Sequence, residues 1–70
     1  MAKLKRRQRD ILVALQELGG QASIRSIAQK ADLDVNGVSQ SLGALAIGEY
    51  VYHVSGRSGD AIYALSDKQF

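Results

Sequence analysis

The stretch Ser26-Ile27-Ala28-Gln29-Lys30-Ala31-Asp32-Leu33-Asp34-Val35-Asn36-Gly37-Val38-Ser39-Gln40-Ser41-Leu42-Gly43-Ala44-Leu45 decides the fold. Ile24, Ile27, Ala28 and Ala31 recur at helical spacing behind Ser23, whose hydroxyl can cap free backbone N–H groups, and this predicts a short helix over 24–31. Val38, Leu42 and Leu45, four and three residues apart, predict a second helix over 35–47. Only Asp32-Leu33-Asp34 separate the two. Asp32 tolerates a left-handed turn, Leu33 can point inward, and Asp34 can cap the helix that follows. Gly37 and Gly43 weaken that helix by about 1 kcal/mol each relative to alanine. Either tertiary packing holds it, or a partner's close approach uses the missing side chains.

Upstream, Leu4, Ile11, Leu15 and Leu18 form an apolar stripe, widened by Leu12 and Ala14, that predicts a first helix over 5–18. Gly19 and Gly20 end it. Downstream the period falls to two: Tyr50, Tyr52 and Val54 alternate with Val51, His53 and Ser55, and Ile62 to Leu65 form a second β-rich run. The Gly-rich segment Ser55-Gly56-Arg57-Ser58-Gly59-Asp60 reads as the loop of a hairpin wing over 50–66. Tyr50, Tyr52 and Tyr63 are expected to be half-buried in its packing. Seventy residues, 46% of them hydrophobic and 23% charged, suit one small folded domain, 1–70. With no cysteine, neither disulfides nor a thiolate site can support it.

The net charge is only +2, yet the sequence pI is about 9.2. The first ten residues carry Lys3, Lys5, Arg6, Arg7 and Arg9 against Asp10, a local charge of +4; the remaining sixty carry −2. Such asymmetry marks residues 1–6 as a basic arm suited to nucleic acid or another anionic surface. The apolar run Ile11–Leu15 is too short for a secretory signal, and no stretch is long enough to span a bilayer. A soluble, cytoplasmic chain is expected, nucleoid-associated if it binds DNA.

Helix, glycine turn, capped short helix, three-residue turn, third helix and hairpin is the order of a winged helix-turn-helix. Residues 26–45 resemble the helix-turn-helix of prokaryotic winged-helix regulators of the multiple-antibiotic-resistance type: Ala28, Leu33, Asp34 and Val38-Ser39 fall where that pattern has its alanine, apolar turn residue, cap and Val-Ser. Tyr63-Ala64-Leu65-Ser66 looks like the second wing strand. The resemblance implies an α+β fold of three helices with a C-terminal two-stranded β-hairpin wing, and sequence-specific binding of double-stranded DNA by a small transcriptional regulator. Two positions depart from the pattern. Asp32 stands where the family usually has glycine, and the third helix lacks the usual arginine or lysine. Ile11 to Gly19, followed by a leucine-spaced third helix, is also similar to winged helices that bind left-handed nucleic acid. Those use asparagine, tyrosine and tryptophan, where this chain has Ser39 and Gly43 and no tryptophan.

Within a duplex-binding reading, the outward positions of the third helix, Asn36, Gly37, Ser39, Gln40 and Gly43, face base edges, and asparagine and glutamine suit adenine. Phosphate contacts must come from elsewhere: Lys3, Lys5, Arg6, Arg7 and Arg9 on the arm, Ser23 and Arg25 at the second helix, and Arg57 and Ser58 in the wing. A homodimer on a twofold site is compatible with this arrangement. The rival reading is a winged-helix module that binds a protein partner without nucleic acid, suggested by the cation-free third helix. His53 has no companion ligand, Ser55–Gly59 lacks the lysine-serine ending of a phosphate loop, and no catalytic set is visible. No enzyme, metal or cofactor is expected.

Overall fold

A computed structural model describes residues 4–68 and Phe70. Lys3 therefore lies outside the described residues. The elements follow in the order α1 (Arg6–Glu17), β1 (Gln21–Ser23), α2 (Ile24–Ala31), α3 (Val35–Ile47), β2 (Val51–Ser55), a 3-10 turn (Ser58–Asp60) and β3 (Ile62–Leu65). Helices α2 and α3 occupy the expected ranges. Helix α1 starts one residue later than its periodicity suggests and ends at Glu17, with Leu18 as its cap.

Each boundary has a local cause. Gln8 Oε1 accepts the backbone N–H of Lys5 at 3.0 Å, and the Ser23 hydroxyl accepts that of Ser26 at 3.1 Å. Asp32 sits in the left-handed region at φ 57° and ends α2, with the N–H of Leu33 donating back to the Ala28 carbonyl at 2.9 Å. The Asp34 carboxylate then accepts the N–H of Gly37 at 3.2 Å and opens α3. Asp34→Ala is expected to cost about 1 kcal/mol, lowering the thermal midpoint by about 4–8 °C, while Asp34→Asn keeps most of the cap. Thermal unfolding followed by circular dichroism checks both.

The sheet holds one more strand than the expected hairpin. Its order is β1-β3-β2, antiparallel throughout, with Ala22 opposite Tyr63 and Tyr52 opposite Ala64. A register shift separates His53 from Ser55 in β2. Backbone bonds from Ile24 to Ala61 and from Leu65 to Gly20 extend the β1 pairing at both ends.

One apolar core joins the layers. Ile11, Leu12, Leu15, Ile27, Val38, Leu42 and Leu45 are fully buried, and Val51 and Ala61 close it from the wing side. No polar or charged residue is buried among the described residues. Burial of aliphatic side chains, at about 1.5–3 kcal/mol for each large one, is therefore the main force docking α3 on α1 and α2. None of the described helices is long and apolar enough to cross a membrane.

Candidate nucleic-acid interface

Burying Val38, Leu42 and Leu45 turns the opposite side of α3 to solvent. Asn36, Ser39, Gln40 and Gly43 are all exposed there; Gly37 is half-buried. Asn36, Gln40, Gly43 and Ile47, spaced by four, three and four, run along the middle of the outward face. Ile47 is 87% exposed, the most exposed large apolar side chain among the described residues. The sequence reading gave it no role, although its phase opposite Leu42 and Leu45 was available as a signal. No residue of α3 carries a charge.

The positive charge is brought to α3 from α1. The basic segment is not a separate arm beyond Lys5: Arg6, Arg7 and Arg9 lie in the first turn of the helix. Arg7, four residues before buried Ile11, is on the side of α1 that approaches α3. Its Nη1 lies 3.4 Å from where a Gly37 side chain would begin. An alanine at Gly37 would thus touch the tip of the exposed Arg7 side chain, which is free to move aside. Lys5, Arg7 and Gln8 line an open cleft of about 420 Å³ with Gln40, Ser41 and Ala44 of α3. Lys5, Arg6, Arg7 and Arg9 are all exposed. They also stand at the positive end of the helix dipole, with no acid in the first turn. Like charges there cost about 0.3–1 kcal/mol each, so this placement opposes stability.

The wing tip is a built turn rather than a loose loop. Gly56 has φ +76°, and a Cβ on it would lie 2.7 Å from the Asp60 carbonyl oxygen, so only glycine fits. Arg57 follows in extended backbone, exposed, ahead of the 3-10 turn. Ser58 is exposed at φ 56°. The Gly56 carbonyl lies 2.8 Å from His53 Nε2, which donates to it, and the His53 ring packs at 5.4 Å against Tyr63.

Two expected phosphate ligands already have partners. The Ser23 hydroxyl caps α2 and bonds to the Ser26 hydroxyl. Arg25 lies 3.8 Å from Asp60, both well exposed, and its guanidinium rests against Gly59. An exposed pair of this kind contributes little to stability, so Arg25 remains exchangeable. Tyr50 and Tyr63 are half-buried as expected, whereas Tyr52 is 54% exposed. Tyr52 follows buried Val51 and so projects from the opposite face of the sheet, away from the core, and Val54 is exposed as well. A Cβ added at Gly43 would meet nothing within 4 Å among the described residues, so none of them gives this glycine a packing reason.

No family model and no curated protein matches this chain. Among solved structures it is similar to the Zα domain of PKZ from Carassius auratus in complex with Z-DNA, with TM-score 0.73 and 22% identity, covering 84% of this chain and 90% of that one. It is also similar to the PcaV transcriptional regulator from Streptomyces coelicolor in complex with its natural ligand, with TM-score 0.78 and 18% identity, covering 91% of this chain and 46% of that one. The chain thus spans nearly all of the Zα domain and just under half of PcaV. With three helices and a wing hairpin in this order, the fold is a winged helix-turn-helix.

Proposed function

We propose that the chain binds double-stranded DNA sequence-specifically, as a small transcriptional regulator of the cytoplasm and nucleoid. Helix α3 enters the major groove, with Asn36, Ser39, Gln40 and Gly43 toward base edges and the wing alongside. Lys5, Arg6, Arg7 and Arg9 take backbone phosphates, joined by Lys3, Arg25, Arg57 and Ser58, while Ser23 serves by capping α2 and Gly37 leaves room beside Arg7. The observation that carries this reading is the basic first turn of α1, set against its own helix dipole and seated beside an uncharged α3. Cations that lower stability yet flank the outward helix suit a polyanion that neutralises them.

Titrating labelled random-sequence duplex at about 50 and 200 mM salt tests it. Binding should weaken steeply with salt, and the stoichiometry shows whether a homodimer occupies the site. Absence of binding even at low salt sinks the proposal in favour of a protein partner, for which exposed Ile47 at the end of α3 is the favouring feature. A parallel titration with left-handed duplex separates that third reading, which is supported only if the left-handed form is bound more tightly.

A further inference from the structure

We infer that α3 selects A·T pairs over G·C pairs through the major groove; this rests on the duplex-binding reading above. In that groove guanine presents two acceptors, N7 and O6, and is read most often by arginine or lysine. Adenine presents an acceptor beside a donor, and thymine a methyl group. A side chain that both donates and accepts pairs bidentately with adenine, whereas a cation finds two adjacent acceptors only on guanine. The outward face of α3 holds the first kind and none of the second. Asn36 and Gln40 are exposed amides one helical turn apart, and neither side chain makes a hydrogen bond among the described residues.

Beyond Gln40 the face turns apolar. Gly43 projects nothing, and Ala44 and Ile47 are exposed. At 1.5 Å rise per residue, Ala44 stands about 6 Å past Gln40, within two base steps, where a methyl group would meet the thymine methyl. The two cations that share a cleft with this face, Lys5 and Arg7, both lie at its flank on the α1 side, Arg7 beside Gly37. That flank suits a phosphate of the strand bordering the groove.

The test uses three duplexes with identical flanks and a central block of A·T, G·C or inosine·cytosine pairs. Inosine·cytosine presents a guanine-like major groove and an A·T-like minor groove, so it separates the two grooves. The full chain should bind the A·T block tightest, with inosine·cytosine grouped with G·C, and the Asn36→Ala and Gln40→Ala chains should each lose about 5- to 150-fold on A·T alone. Both side chains are exposed, so unchanged thermal midpoints will show that the variants fold. Grouping of inosine·cytosine with A·T would move the readout to the minor groove and Arg57, and overturn the inference. An A·T preference that survives both substitutions overturns it too, as does a G·C preference abolished by Arg7→Ala. If no duplex is bound at low salt, it is the proposed function that fails.

Discussion

Replacing Lys5, Arg6, Arg7 and Arg9 together with alanine should remove most of the salt dependence of duplex binding. Each phosphate neutralised contributes about 0.9 to the slope of log affinity against log salt, so four contacts contribute about 3.6, or about 150-fold in affinity between 50 and 200 mM. The variant's curve should flatten by that amount. Its fold should persist, because all four side chains are exposed and α1 begins on a bond from the Lys5 backbone to Gln8, which the substitutions retain. Relief of the unfavourable charge at the helix start should hold the thermal midpoint level or raise it slightly. Fluorescence titration across salt, paired with thermal unfolding, reads both quantities. An unchanged slope would show that the basic turn touches no phosphate.

Leu42→Ala is expected to have the largest effect on stability. Leu42 is fully buried on the inner face of α3, in the same core as Ile11, Leu15, Ile27 and Val38. Truncating such a leucine costs about 2–5 kcal/mol from lost transfer energy and the cavity left behind. A domain of this size has a total stability near the low end of about 5–15 kcal/mol. At about 4–8 °C per kcal/mol, the thermal midpoint should fall by roughly 10 °C or more. Ile47→Ala, on the same helix but 87% exposed, should leave it within a degree or two. Equal midpoints for the two variants would mean that α3 is not docked through the Leu42 face.

The helices were legible because their information is local: Ile24, Ile27 and Ala28, then Val38, Leu42 and Leu45, repeat on one face and are buried as that repeat demands. The caps at Ser23 and Asp34 and the left-handed Asp32 follow from side-chain chemistry within three residues. Strand β1 was not legible. Gln21-Ala22-Ser23 is too short to alternate, and its extended form comes from pairing with β3 far along the chain. Arg7 over Gly37, and Arg25 beside Asp60, likewise arise from distant segments meeting in space. Residue types told only which exposed side chains have the chemistry to contact a duplex. They did not tell that α1 would set its charge beside an uncharged α3, or that the wing tip would be a fixed turn.

The central strand of the sheet is the last of the three in chain order. Both β1 and β2 pair with β3 alone, so Ala22 waits for Tyr63, about forty positions later, before its backbone finds a partner. Strands β2 and β3 are neighbours along the chain and can pair as a local hairpin, whereas docking of β1 must close the much longer stretch between Ser23 and Ile62 and is the slow, long-range step. A chain cut before Ile62 would therefore lose not one strand but the whole sheet, because β1 and β2 have no pairing with each other to fall back on.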